Sequence, residues 1–399
     1  MLQTQITPQI YYVGVNDRRK PFFENQLPLP YGVSYNSYIV KDEKIALIDT
    51  VDVCYFDLFL QKIEASLAGR KIDYLVINHM EPDHSGSIRL LLNYFPDMQM
   101  VGNAKTFDML KGYFGIVDNL VEVKDGSELS LGQRSLQFFL TPMVHWPETM
   151  MTYEAASKTL FSGDAFGSFG ALDGGVLDST MNTGNFWPEM RRYYASIIGK
   201  YGVPVQNALA KLKALEINAI CSSHGVVWTE QKAKVIDLYN KLSRYEPLQR
   251  GAVIAYGSMY GNTEQMAEII ASGIVAGGVK NVVLHDVSKT DSSFILSDIF
   301  NCSALVIGSP TYMNGLFPAV EALLHKIEAR TVKNRIFAAF GSCTWAGVSL
   351  KHILPVAENL QWDIVGSVEE KQALKAEKSA ECFELGKKIA EKILSLECK

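Results

Sequence analysis

The sequence predicts an α/β protein in two successive parts, a strand-rich α/β mixture followed by a doubly wound parallel sheet. Three observations predict it. The chain has 399 residues, enough for two or three domains at about 150 residues each. Before residue 245, short apolar or alternating runs come with many turns. After residue 251, strand-like and helix-like runs alternate five times, the pattern of a parallel sheet wound on both faces.

In the first part, strands are predicted at Ser34 to Val40, Lys44 to Asp49, Tyr74 to Asn78, Leu136 to Leu140 and Thr159 to Ser162. Helices are predicted at Tyr55 to Leu67 and Ser87 to Tyr94. Arg244 to Gly251 is polar, holds Pro247 and Gly251, and reads as a linker. The expected domains are therefore residues 1–245 and 252–399. In the second, strands are expected at Ala252 to Tyr256, Asn281 to His285, Ala304 to Ile307, Arg335 to Phe340 and Asp363 to Val368. Their helices are expected at Thr263 to Ala276, Ser292 to Phe300, Pro318 to Glu328, Gly347 to Leu360 and Ala373 to Leu394.

Composition narrows the function. Hydrophobic residues make up 48% and charged residues 20%, with a net charge of −5, which excludes a mainly disordered chain. The densest basic stretch is Arg18-Arg19-Lys20, too short for a nucleic-acid surface. The longest uncharged run, Ile299 to Val320, holds Pro310, Pro318 and several polar residues, so no membrane span is expected. The N-terminus lacks the form of a secretory signal. Cys54, Cys221, Cys302, Cys343, Cys382 and Cys398 include no CxxC pair, which rules out a rubredoxin-type iron site in this chain. Scattered thiols suit a cytoplasmic protein.

The strongest chemical signal is Asn78-His79-Met80-Glu81-Pro82-Asp83-His84, directly after a predicted strand. Pro82 is expected to break any helix, leaving His79, Glu81, Asp83 and His84 on a loop able to wrap a cation. His145, Asp164 and His224 each follow a further predicted strand. Four strand ends thus offer four imidazoles and three carboxylates. With Asp164 bridging, two metals would each have three terminal ligands and an open position. A mixed imidazole and carboxylate set suits redox-active iron without excluding zinc or manganese. His285, His325 and His352 read as structural or solvent-facing residues. Tyr193 and Tyr194 are weak candidates for a proton donor and better candidates for core.

The second part carries Gly257-Ser258-Met259-Tyr260-Gly261-Asn262-Thr263 between a strand and a helix. Small and hydroxyl residues there let backbone N–H groups converge on a phosphate. The lysine of a P-loop is missing, so a flavin mononucleotide (FMN) phosphate fits better than a nucleoside triphosphate. Two more loops fall at the same sheet edge. One holds Pro310, Thr311, Tyr312, Asn314 and Gly315; the other holds Ser342, Cys343, Thr344, Trp345, Ala346 and Gly347. Tyr312 and Trp345 are candidates to flank an isoalloxazine ring, with packing as the alternative.

The metal motif resembles the HxHxDH loop of the metallo-β-lactamase fold, with Glu81 in place of the second histidine. Both halves together resemble the flavodiiron proteins in their minimal two-domain form. The resemblance rests on His79-x-Glu81-x-Asp83-His84, His145, Asp164, His224 and Ser258-x-Tyr260-Gly261-Asn262-Thr263. It implies a metallo-β-lactamase-like αββα sandwich followed by a flavodoxin-like doubly wound sheet. It implies one iron on His79, Glu81 and His145, another on Asp83, His84 and His224, and Asp164 between them. It further implies FMN and reduction of O2 to water, NO to N2O, or both. The donor would be a rubredoxin-like protein or a reduced deazaflavin, and the assembly a head-to-tail homodimer or a dimer of dimers. His84 is not a ligand in some relatives. Cys343 and the Phe22-Phe23-Glu24-Asn25 loop depart from the residues common there. Two other readings stay open at this point: a zinc hydrolase carrying a flavodoxin appendage, and an electron carrier with a vestigial metal loop.

Overall fold

A computed structural model describes residues 4–396. Cys398 and the first three residues of the N-terminal segment lie outside the described residues. The chain divides into two compact units. One comprises the chain through Tyr194 together with Val203–Asn240; the other comprises Ala195–Gly202 and the chain from Lys241 onward. Among the described residues no helix is long and apolar enough to cross a membrane.

The first unit is built on two main sheets. The seven-stranded sheet runs Thr4–Thr7, Ile10–Tyr12, Tyr38–Lys41, Ile45–Ile48, Tyr74–Val76, Gln99–Gly102, Leu120–Glu122 in spatial order. The last four strands are mutually parallel. The five-stranded sheet runs Glu128–Ser130, Ser135–Leu140, Met150–Glu154, Thr159–Gly163, Ala219–Ser222. Every residue of Ile45–Ile48, Met150–Glu154 and Thr159–Gly163 is buried. Such strands need cover on both faces, which a sandwich of two sheets with helices outside supplies. Helix Phe56–Leu67 buries Phe56, Phe59, Leu60, Ile63 and Leu67 along one face, the three-to-four spacing of an amphipathic helix.

Strand direction decides where the chemistry goes. Ser135–Leu140 is antiparallel to Met150–Glu154, which is antiparallel to Thr159–Gly163, and Thr159–Gly163 is parallel to Ala219–Ser222. The carboxyl ends of Ser135–Leu140, Thr159–Gly163 and Ala219–Ser222 therefore emerge on one edge. His145, Asp164 and His224 follow those three ends.

The second unit is one parallel sheet of five strands. Its order is Val282–Asp286, Gln249–Tyr256, Cys302–Pro310, Ile336–Cys343, Asp363–Lys371, with the second strand in sequence at the edge. That is the flavodoxin-like order. Helices Asn262–Ala276 and Ala376–Ser395 bury Met266, Ile270, Ile274, Leu385, Ile389 and Ile393 against Ile254, Val306, Ala338 and Phe340. The two helices touch backbone to backbone. A Cβ on Gly273 would collide with Phe383 O, and one on Gly386 with Ile270 O.

Three local expectations are corrected. Ser34 to Val40 is not one strand but two, Val33–Tyr35 and Tyr38–Lys41. Between them Asn36 turns to donate Nδ2 to Ser222 O and Gly225 O, each at 2.9 Å, so its polar side chain takes a tertiary role. Pro82 does not break a helix; it begins one, Pro82–Ser85, where a first-turn residue needs no N–H. Gln249–Gly251 is strand rather than linker. The buried Arg335 guanidinium pins the preceding turn, donating to Tyr245 O at 2.9 Å and Ile299 O at 2.8 Å.

The glycine crossing gives a test. Gly386→Leu should destabilise the second unit by about 1–3 kcal/mol, as overpacking of a tight interior does. Urea unfolding followed by circular dichroism measures it; an unchanged midpoint would contradict the backbone contact.

Candidate functional site

The loop that carries the first four candidate ligands is fixed before any side chain points inward. Asp49, buried at the end of the neighbouring strand, accepts Asn78 N at 2.7 Å and Asn78 Nδ2 at 2.9 Å. Asn78 in turn accepts Thr152 Oγ1 at 2.7 Å and Met150 N at 3.0 Å, which ties it to the other sheet. Thr50 donates from its backbone and hydroxyl to His84 O, and Ser85 Oγ donates to Met80 O at 2.7 Å. On the far side Gly225 takes φ +76°, and a Cβ there would strike Ser168 Oγ. Only glycine lets the chain turn so soon after His224.

All seven predicted residues are brought together, and all are buried. They form two groups, His79, Glu81, His145 and Asp164 in one, and Asp83, His84 and His224 in the other. Asp164 stands between them. Its Oδ2 lies 3.4 Å from His79 Nε2 and 3.0 Å from His145 Nε2. Its Oδ1 lies 3.0 Å from His84 Nε2 and 3.7 Å from His224 Nε2. Glu81 Oε2 is 3.3 Å from His79 Nε2 and 3.1 Å from His145 Nε2. Asp83 Oδ2 is 3.5 Å from His84 Nε2 and 3.3 Å from His224 Nε2.

These residues fit a pair of cations. Donor atoms bound to one ion at about 2.1 Å stand roughly 3 Å apart, as these do. Both carboxylate oxygens of Asp83 are buried without a hydrogen-bond partner. The Nε2 atoms of His84 and His224 approach to 3.1 Å, a nitrogen pair that needs a proton or a cation between its lone pairs. Leaving such groups buried and unpaired is costly.

Two carboxylates around the site went unread in the sequence. Asp49 is one. Glu148 is the other, with Oε1 2.8 Å from His79 Nδ1 and accepting Met80 N at 2.9 Å. The signal for Glu148 was its place three residues after His145 in a turn-rich segment. Aromatic rings pack around the histidines. Phe23, Tyr35 and Tyr193 lie 5.4, 5.9 and 5.5 Å from the His224 ring, and Trp146 lies 5.2 Å from His79. Tyr193 and Tyr194 are both fully buried. Near Glu81, burial and that neighbouring carboxylate push the Glu24 carboxyl up. Of the other histidines, His285 meets Asp298 at 3.0 Å, while His325 and His352 are exposed.

The second unit gathers its three loops at the carboxyl edge of the sheet. Gly261, at φ +94°, precedes helix Asn262–Ala276 and gives it no side-chain cap, and nothing lies within 4 Å of where its Cβ would be. An uncapped helix start with open space is suited to an anion. Ser258 Oγ accepts Gly261 N at 3.2 Å. Thr263 Oγ1 meets Ser342 Oγ at 2.9 Å, and Thr311 Oγ1 meets Ser349 Oγ at 3.1 Å, so the loops are laced by hydroxyls. Pro310 and Ser342 are strand-end neighbours. Tyr312 and Gly315 exchange two backbone bonds, which makes a tight turn around Met313 and Asn314. Tyr260 and Trp345 are 94% and 78% exposed, and Met259 and Tyr312 are also exposed, so none is a core residue. Cys343 is half-buried, ahead of Thr344, Ala346 and Gly347 in the third loop.

Known proteins share this two-part fold. A family model described as ODP family beta lactamase matches residues 33–225, and a flavodoxin model matches residues 254–386. A nitric oxide reductase of Moorella thermoacetica is 32% identical, covering 97% of this chain and 98% of its own. The solved structure of rubredoxin oxygen:oxidoreductase from Desulfovibrio gigas superposes with a TM-score of 0.94 at 30% identity, covering 98% of this chain and 99% of that one. That of the flavodiiron protein from Giardia intestinalis gives 0.94 at 27%, covering 99% and 97%.

Electrostatics sets a pH test on the metal-free chain. Burial alone pulls the imidazoles down, but Asp164, Glu148 and Glu81 outweigh it and push His79 up to about 10. The same contest, won by Asp83 and Asp164, pushes His84 up to about 9; won by Asp164 and Glu81, it pushes His145 up to about 10. Burial likewise opposes ionisation of Glu81 and Asp164, yet the facing imidazoles hold both well below the usual carboxylate range. Histidine pKa values raised above an unfolded value of about 6.5 add stability that is full below that pH and lost as pH rises through 9 to 10. Thermal melting of chelator-treated protein should therefore show a Tm that falls between pH 7 and 10. Metal-loaded protein should show a shallower fall, because metal replaces the protons on these histidines. Buried thiols and phenols such as Cys221 and Tyr38, pushed up by burial, still favour the folded state less as pH rises. A metal-free Tm that climbs through this window would contradict the pairing.

Proposed function

The chain belongs to the flavodiiron protein family of oxidoreductases, and from that premise we propose that it reduces nitric oxide to nitrous oxide, dioxygen to water, or both. The observation that carries this reading is Asp164, which offers one carboxylate oxygen to each of two imidazole-carboxylate groups. His79, Glu81 and His145 would hold one iron, and Asp83, His84 and His224 the other, with Asp164 shared. Bound iron supplies one-electron chemistry on small gases, and bound FMN supplies electrons singly or in pairs.

The chain's own residues do the rest. Asp49, Asn78 and Thr50 hold the ligand loop so that its four donors are in place beforehand. Phe23, Tyr35 and Tyr193 set their rings 5.4, 5.9 and 5.5 Å from the His224 ring, an aromatic surround that holds the imidazole in place. In the second unit, Ser258, Gly261, Asn262 and Thr263 would take the FMN phosphate. Tyr312 and Trp345, with Met259 and Tyr260 beside the phosphate loop, would border the ring. Electrons would come from a rubredoxin-like protein or a reduced deazaflavin. The working assembly is a head-to-tail homodimer, in which one subunit's flavin serves its partner's metals.

Stopped-flow mixing of fully reduced protein, of measured iron and flavin content, with NO and separately with O2 tests the reaction. Asp164→Ala should keep FMN and lose gas reduction by orders of magnitude; undiminished turnover would sink the assignment. The dimer is tested by pairing two defective chains. A heterodimer of Asp164→Ala with a phosphate-loop variant that binds no FMN should recover activity absent from either homodimer, and no recovery would argue that each subunit works alone.

A further inference from the structure

The two cation positions are alike in donor count, with Asp164 shared, but differ in what stands behind His79 on one side and His84 and His224 on the other. His79 Nδ1 is 2.8 Å from Glu148 Oε1, a carboxylate whose side chain is wholly buried. Glu148 is anchored through one carboxylate oxygen and its backbone. Its Oε1 also accepts Met80 N at 2.9 Å, and its backbone oxygen accepts Asn103 Nδ2 at 2.6 Å. In the other group, His224 Nδ1 lies 2.7 Å from a neutral acceptor, Ser34 O. His84 Nδ1 is buried with no hydrogen-bond partner at all.

A carboxylate behind a ligating imidazole fixes its tautomer, holds the ring in plane and makes the facing nitrogen a better donor. A charged acceptor does this more strongly than a carbonyl, and an absent acceptor does not do it. Resting on the metal reading above, we propose that Glu148 is a positioning residue that makes the His79–Glu81–His145 position the tighter of the two. That position fills first; the Asp83–His84–His224 position fills second and releases its ion first. The ligand class is a divalent first-row cation, and the two sites are ordered by their hydrogen-bonded backing rather than by their ligands.

The test is anaerobic titration of metal-free, full-length protein with Co²⁺, followed by its visible absorption and by calorimetry. The wild-type chain should take up two ions in resolved steps. Glu148→Gln, which keeps the volume and an acceptor but loses the charge, should weaken the first step by about 10–100-fold and leave the second nearly unchanged. Glu148→Asp should recover part of the loss. His84→Ala should weaken the second step alone. A folding defect would lower both steps together, so circular dichroism and bound flavin are measured on each variant. Two equal steps in the wild type, or a Glu148→Gln chain with an unchanged first step, would overturn the proposal while leaving the metal reading intact. A wild-type chain that takes up no metal would overturn both.

Discussion

One carboxylate organises the first unit. Asp164 is wholly buried and presents one oxygen to each of two imidazole clusters. Such a charge is affordable in an interior only where opposite charge converges on it, whether from protons on the histidines or from metal ions. The rest of the site can be understood as what that requirement imposes. His145 and His224 arrive from strands of the same sheet, and His79 and His84 from the facing one. The short helix Pro82–Ser85 brings Asp83 and His84 into place within one turn. The sandwich is thus a frame for a centre contributed by both of its sheets.

A second layer of buried polar residues stands behind these donors. Asp49, Asn78, Thr50, Ser34 and Glu148 each spend their hydrogen bonds on the backbone or rings of the ligand segments. This layer is not symmetric, and the asymmetry includes the histidines: a carboxylate stands behind His79, a backbone oxygen behind His224 and no partner behind His84 Nδ1. Ligand identity alone makes the two positions look equivalent; their surroundings separate them.

The second unit solves a different problem by different means. Its core is apolar and regular, and its helices meet through glycine. At the carboxyl edge of its sheet, exposed aromatics and hydroxyls on loops surround an uncapped helix start. A rigid sheet with an open edge suits a flat cofactor that must exchange electrons with another molecule.

Residue type and spacing alone determined a good deal. The strand–helix alternation after residue 251 announces a parallel sheet, because each period of apolar residues reports one face of one element. The His79-to-His84 motif and the strand-end positions of His145, Asp164 and His224 announce a buried cluster of donors able to hold metal, because so many donors at strand ends have few other uses. What only tertiary structure decided were relations across chain distance. That Pro82 starts a turn of helix depends on the backbone angles its neighbours accept. That Asn36 interrupts a strand depends on Ser222 and Gly225, remote in sequence. Glu148, marked only by its nearness to His145, and Asp49, marked by nothing, escape a reading of the sequence because a lone buried acid has no periodicity or motif. Its role exists only once folding sets it 2.8 Å from one ring or beneath one amide.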